Sequence, residues 1–199
     1  MSNPSSEQIE YIKGGGVIVY PTSTLPGLGC IPTKEGLNRL FALKSRSTDK
    51  PVSLGVASLD QVSHLVEIDE RMLEFIAAFP RGGLSVIYPA KEPQDPRLGG
   101  DSIAIRVFDH PAARSLAEAV GPVTATSANE SGEEPADTVS EAASRLGLPK
   151  EAIIHGNRTS GKGSTFVKID LTGAEPSVTI IREGVVPARD VVSWWKNRP

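Results

Sequence analysis

The sequence predicts a single α/β domain built on a mixed β-sheet. Three observations lead there. Short apolar runs of strand length alternate with amphipathic stretches of helix length. Glycine and proline, 19 and 16 of the 199 residues, punctuate the boundaries between them. Strands and helices do not follow a strict βαβ order, and no internal repeat or low-complexity linker divides the chain, so one core with parallel and antiparallel pairs fits best.

The elements follow in order. A helix is expected over Ser6 to Lys13, stopped by Gly14-Gly15-Gly16, and Val17 to Tyr20 reads as a buried strand entering a Thr/Gly-rich loop, Tyr20 to Gly29. Thr33 is a natural N-cap for a helix with Leu37, Leu40 and Phe41 on one face and Lys44 in its last turn. Val52 to Val56 is a strand. Ser58 and Gln61 have the spacing of a capping box, and Asp69 caps a helix carrying Met72, Leu73, Ile76 and Phe79. Leu84 to Tyr88 and Ile103 to Phe108 are strands, separated by a Pro/Asp/Gly-rich loop. A helix over Pro111 to Val120 ends at Gly121, a strand covers Val123 to Thr126, and a helix over Val139 to Leu146 ends at Gly147. Strands are expected at Ile153-Ile154, Phe166 to Ile169 and Val178 to Ile181. A short terminal helix carries Val191, Val192, Trp194 and Trp195, whose rings suit docking onto a core. The main domain is placed at residues 7–186 and a helical tail at 187–199.

Composition bounds function by exclusion. At 39% hydrophobic and 23% charged residues the chain is an ordinary globular one. A net charge of −3 argues against avid non-specific binding of nucleic acid or anionic membrane, though it does not describe local patches. The single cysteine, Cys30, excludes an intrachain disulfide and a thiolate metal cluster. Beside Gly29 it reads as a catalytic thiol or as a small buried filler. A polar N-terminus and the lack of a long apolar run lead us to expect a cytoplasmic location, with no membrane contact.

Candidate chemistry gathers in a few segments. Ala125-Thr-Ser-Ala-Asn-Glu-Ser-Gly132 follows a strand and cannot build a core. It is either an unliganded Ser/Asn turn or a mouth of hydroxyl, carboxamide and backbone N–H groups at a strand's C-terminal end. Gly156-Asn-Arg-Thr-Ser-Gly-Lys162 imitates a phosphate-binding P-loop but has Gly163 where Ser or Thr belongs and is followed by a strand-like alternation, so a mobile rim loop is the better reading. His64, His110 and His155 have no metal-ligand spacing and no nucleophile elbow, and no metal held by protein side chains is expected. Among the cations, Lys44, Arg46 and Lys50 fit a solvated helix end, and Arg182 an edge charge. Arg106 differs, because in Ser102-Ile-Ala-Ile-Arg106 it shares a strand face with Ser102 and Ala104. A cation on a small-residue face predicts a polar cleft, and guanidinium suits bidentate binding of carboxylate or phosphate.

Together these segments resemble the YrdC-like threonylcarbamoyl-AMP synthases, in the short single-domain form. The matching stretches, in family order, are Val17 to Gly29, Lys44-Ser-Arg46 with Asp49-Lys-Pro51, and Ser102 to Val107 with His110-Pro111. Ser127-Ala-Asn129 with Ser131-Gly132, Ser164-Thr165 and Ile181-Arg-Glu-Gly184 complete the series. The resemblance implies a twisted mixed sheet with flanking helices around a basic groove. It implies an ATP-using nucleotidyltransferase that converts threonine, bicarbonate and ATP to threonylcarbamoyl-AMP and pyrophosphate, for modification of adenosine 37 in tRNA. Magnesium would be carried with the nucleotide, and tRNA and the threonylcarbamoyl-transfer machinery are expected partners.

Carried over by position, Lys44, Arg46, Lys50, Ser102, Asn129, Thr138 and Arg182 would contact ATP. Thr24, Arg106, Ser127 and Ser164 would contact threonine, and Lys44, Arg46, Ser127 and Asn129 would form the catalytic set. Catalysis would rest on positioning and charge neutralisation. The departures are Ser23 for the family's acid, Pro26 for its aromatic, Gly55 for a frequent histidine, Phe108 for a proline, and Arg81-Gly-Gly-Leu-Ser85 for Pro-Gly-Pro-x-Thr. They keep open a non-catalytic paralogue that binds RNA or nucleotide. A carbamoyl-phosphate-using relative of the domain found in hydrogenase-maturation proteins is a third reading.

Overall fold

A computed structural model describes residues 3–157, 161–170 and 176–197. Elements in chain order are α1 (Ser6–Lys13), β1 (Ile18–Tyr20), β2 (Gly27–Gly29), α2 (Lys34–Leu43), β3 (Ser53–Val56), α3 (Glu70–Ala77) and β4 (Leu84–Pro89). They continue with β5 (Ser102–Val107), α4 (Pro111–Val120), β6 (Val123–Ser127), α5 (Val139–Arg145), β7 (Thr165–Asp170), β8 (Ser177–Arg182) and α6 (Ala188–Lys196). The strands form one sheet in the order β1-β2-β6-β3-β5-β4-β7-β8. Pairs β3/β5 and β4/β7 are parallel and the others antiparallel. The expected mixed sheet is thus observed.

Local chemistry explains the helix starts. Ser5 and Gln8 form a reciprocal capping box on α1, and Thr33, Asp69 and Thr138 each accept a backbone N–H at the start of α2, α3 and α5. Register then divides the sheet's two faces. On one, Leu54 pairs with Ile105, Val86 with Val167 and Leu84 with Thr165, feeding the main core that α2, α3, α5 and α6 complete. Trp194 and Trp195 of α6 meet Phe75 of α3 edge-on at 5.3 and 5.7 Å, so the terminal helix docks as its rings predict. On the other face, α1 and α4 cover a second, smaller core built on Ile18, Tyr20, Phe108 and Val123.

Three expectations need correction. Ser58 and Gln61 form no capping box. A 3-10 turn runs from Leu59 to Val62, and the Gln61 carboxamide instead accepts from Ala57 N–H (2.7 Å) and donates to the Ala117 carbonyl (2.7 Å). That side chain is worth more as a tie between β3 and α4 than as a cap. Ile153-Ile154 makes a single bridge to Val19 rather than a strand. Gly27–Gly29, read as loop, is a buried strand: Cβ atoms at Gly27 and Gly29 would lie 2.7 and 2.9 Å from the Tyr20 ring, so the ring occupies the space side chains would need.

Candidate active site

The sheet face opposite the main core carries small residues where the cleft lies. Register places Ser53 opposite Ala125, Gly55 opposite Arg106, and Ser85 opposite Phe166. With few bulky side chains there, the sheet leaves a cleft lined by Tyr20, Thr24, Arg46, Ser85, Arg106, Ser127, Ser164 and Arg182, among others. No Asp or Glu lines it among the described residues. The small-residue strand face predicted from Ser102 to Arg106 is therefore a cleft wall at its Arg106 end.

Arg106 is the organising group. It is 8% exposed, its Nε donates to the Gly82 carbonyl (3.0 Å) and its Nη2 to Thr24 Oγ1 (2.7 Å) and, at 3.4 Å, Ser23 Oγ. Gly82 can present that carbonyl because it adopts φ +75°, and a Cβ there would strike Ser23 Oγ at 2.5 Å. Thr24 is itself set by Thr22, whose hydroxyl accepts from Thr24 N–H (3.0 Å) and donates to the Leu25 carbonyl (2.7 Å). Nη1 has no partner among the described residues, and no described carboxylate pairs with the guanidinium. Burial, with Arg182 nearby, lowers its pKa to about 10 against an opposing pull from Tyr20, so it stays cationic at neutral pH. A buried, oriented, unneutralised cation is costly unless an anion completes it.

Two more arginines face the same cleft. Arg46 follows Ser45, which turns the chain out of α2 with φ 47°, and its guanidinium donates to the carbonyls of Lys50 (2.6 Å) and Pro51 (2.9 Å). Arg182 closes β8, with Nη2 donating to the Ser164 carbonyl (3.3 Å) and the guanidinium 5.8 Å above the Phe166 ring. Burial and then Arg182 lower the pKa of Arg46, with Asp49 opposing. These cations share a cleft that no Asp or Glu lines among the described residues, an arrangement suited to anionic ligands. On the floor, Ser85 and Ser164 share a hydrogen bond at 2.8 Å.

The other carried-over positions lie elsewhere. Lys44 is 1% exposed, and its Nζ donates to the Ser127 carbonyl (2.6 Å) and, more closely still, to that of Asn129. The Lys44 carbonyl also accepts from Ser131 N–H (2.9 Å), so the end of α2 holds the 127–131 loop at both levels. Burial first, then Arg46, lowers its pKa to about 8. The amine read from sequence as a phosphate contact is here an internal strut. Asn129 is buried, its Nδ2 donating to the carbonyls of Glu130 and Glu133 (2.7 Å each), and its Oδ1 has no partner. Lys50 contributes its carbonyl to Arg46 and exposes its side chain. Thr138 caps α5 and is exposed. Ser102 opens β5, four residues or roughly 13 Å from Arg106, and lines a separate depression with Asp101 and Lys168.

Within the P-loop look-alike, Arg158 to Ser160 lie outside the described residues. The chain after Lys162 passes through Gly163 and Ser164 into β7, so no helix N-terminus follows. Cys30 is fully buried, accepts Thr124 as a hydroxyl neighbour, and has its thiol pushed up to about 11 by that burial, which leaves the filler reading. Sequence reasoning missed Thr22, Ser85 and Phe166. Their roles come from contacts across strands, and Ser85 and Ser164 are 79 positions apart.

The chain is thus an α/β domain on a mixed sheet with a cationic, hydroxyl-lined cleft that no Asp or Glu lines among the described residues. The Sua5/YciO/YrdC family model, described as telomere recombination, matches residues 10–184. The chain belongs to this family. The threonylcarbamoyl-AMP synthase of Aliivibrio fischeri is 36% identical over 164 residues, 77% of this chain and 89% of the relative. That of Photobacterium profundum is 32% identical over 184 residues, 88% and 96%. P. abyssi Sua5, solved complexed with L-threonine, superposes with TM-score 0.81 at 30% identity over 93% of this chain. The chain spans about half of that protein, 55% of its length. E. coli YciO gives TM-score 0.74 at 28% identity, covering 90% of this chain and 88% of that one. Full-length HypF, at 18% identity and TM-score 0.73, shares the fold.

Proposed function

We propose that the protein is an L-threonylcarbamoyladenylate synthase. The observation that carries this reading is the convergence of Arg46, Arg106 and Arg182 on one hydroxyl-lined cleft without a carboxylate among the described residues. The names of its bacterial relatives support it over a non-catalytic binder. Threonine presents its carboxylate to Arg106, steadied by Thr24, while Ser127 and the Ser85–Ser164 pair offer hydroxyls to its polar groups. The cleft encloses about 160 Å³, below the 300–1,000 Å³ usual for larger ligands, so ATP lies across its mouth with its phosphates on Arg46 and Arg182.

The threonine amine and bicarbonate condense to a carbamate with loss of water. A carbamate oxygen then attacks the α-phosphorus and pyrophosphate leaves, its charge met by the two outer arginines. Lys44 acts by holding the loop that carries Ser127 and Asn129, and Asn129 keeps that loop in shape through its bonds to the Glu130 and Glu133 carbonyls. Lys50, Ser102 and Thr138 stay outside this core assignment. ATP brings its own magnesium. The product serves tRNA modification, with tRNA and the transfer enzymes as downstream partners in the cytoplasm. No helix of the described residues is long and apolar enough to cross a membrane.

The test is direct. Purified protein with ATP, magnesium, bicarbonate and labelled threonine should release pyrophosphate in a threonine-dependent way. Absence of release under conditions where the Aliivibrio fischeri synthase turns over would overturn the reading.

A further inference from the structure

Two aromatic rings stand in space that three glycines leave open. A Cβ built on Gly55 would lie 1.9 Å from Phe108 Cζ and within 2.6 Å of both neighbouring ring carbons. The contact is with the far edge of the ring, so any side chain at Gly55 requires the Phe108 ring to move. Phe108 in turn meets Tyr20 edge-on at 5.5 Å with an interplanar angle of 72°. The Tyr20 ring fills the Cβ positions of Gly27 and Gly29, and its hydroxyl donates to the Thr124 carbonyl at 2.9 Å. Both rings are about fully buried, at 0% and 1% exposure, yet Tyr20 lines the cleft.

The placement of this wedge matters more than its packing. Gly55 pairs with Arg106 in the β3/β5 register, so the edge of the Phe108 ring lies over the β3 position beside the Arg106 backbone. Tyr20 is the ring of the wedge that lines the cleft, and Phe108 packs edge-on against it within the second core. A carboxylate held by Arg106 puts an amino acid's Cβ only two bonds from its anchor. The side chain therefore meets whatever stands beside Arg106.

We infer that Phe108, seated on Gly55, is a specificity-determining residue that holds Tyr20 as a rigid wall beside Arg106 and restricts the site to amino acids with side chains no longer than that of threonine. This rests on the amino-acid site proposed above. Phe108 does not touch the ligand in this account, so it acts as a positioning residue through Tyr20.

The test reads selectivity apart from turnover. Calorimetric titration of the intact protein with threonine, leucine and isoleucine gives affinity ratios for wild type, Phe108→Leu and Phe108→Ala. Wild type should favour threonine over leucine and isoleucine by at least tenfold. Phe108→Ala should shrink that preference about tenfold, and Phe108→Leu, which keeps most of the buried volume and so keeps the fold, should shrink it by a smaller factor. Gly55→Ala should bind threonine weakly alone and recover in Gly55→Ala/Phe108→Ala, as a shared volume requires. Unchanged ratios in both Phe108 variants, with only a uniform loss of affinity, would reduce Phe108 to a structural residue and overturn the inference. So would a wild type that binds none of the three amino acids. Selective threonine binding without pyrophosphate release would leave the inference standing and remove the proposed reaction.

Discussion

The two faces of the central sheet solve opposite problems with neighbouring residues. Leu54 and Ile105 point into the main core, whereas Ser53 and Arg106, one step along the same strands, point toward the cleft. One face gains stability by removing apolar area from water at about 25 cal/mol per Å². The other packs a smaller core under α1 and α4 and gives up that gain over the cleft, to keep a hydroxyl-lined space with a buried cation in it. Function in this molecule sits where the sheet declines to pack.

That contrast is broken most strongly from the packed side. Leu54 is fully buried, and Leu54→Ala should cost about 2–5 kcal/mol of stability. Ser53→Ala, its neighbour on the cleft face, should move the urea midpoint far less. Equal midpoint shifts for the two variants would mean that the faces do not divide the labour.

Arg106→Met reverses the pattern. Removing an unneutralised buried cation should leave the melting temperature unchanged or raise it. Threonine affinity should fall about ten- to a hundredfold, the cost of a lost charge-assisted contact of roughly 1.5–3 kcal/mol. A large drop in melting temperature with threonine binding retained would make Arg106 a structural residue. Arg46→Ala and Arg182→Ala should show a similar loss toward ATP while sparing threonine.

Lys44 gives a third, subtler contrast, because it is buried like a core residue and charged like a cleft one. Its folded pKa, about 8, lies below its ordinary value of 10.5. Between those values the unfolded chain binds the proton and the folded one does not, so stability rises with pH across the window and is lost again as pH falls through about 8. Lys44→Met lacks this titration. The stability gap between wild type and Lys44→Met should therefore shift in favour of wild type from pH 7.5 to pH 10, as read from urea midpoints. A gap that does not change with pH would place the Lys44 amine in solvent.

Much of this was legible in the chain because it is local. Strand alternation put Arg106 on a small-residue face, and caps at Thr33 and Asp69 announced their helices. What stayed hidden depends on contacts far apart in sequence. Nothing near Lys44 reveals that its amine is consumed by carbonyls at positions 127 and 129. Gly27–Gly29 looks like a loop because glycine is poor in strands, until the Tyr20 ring is seen in place of its side chains. The Gly55 and Phe108 departures read as two separate oddities in sequence and as one contact in space.

The smallest expected effect concerns Lys162, the residue that motif matching would rank first. It is exposed, lies between Gly161 and Gly163, and leads into β7 rather than a helix, so no helix dipole follows it. An exposed lysine on a long flexible stem loses side-chain entropy when it fixes one phosphate, and solvent screens the attraction, which leaves about 0–1 kcal/mol. Arg46 and Arg182 are held in place by backbone carbonyls before any ligand arrives, so little further ordering is required of them. ATP titrated calorimetrically into Lys162→Ala should bind within about fivefold of wild type, against the ten- to hundredfold loss expected for either arginine variant. Normal ATP binding by Arg46→Ala and Arg182→Ala together with its abolition in Lys162→Ala would move the phosphate site from the cleft to the glycine-rich loop.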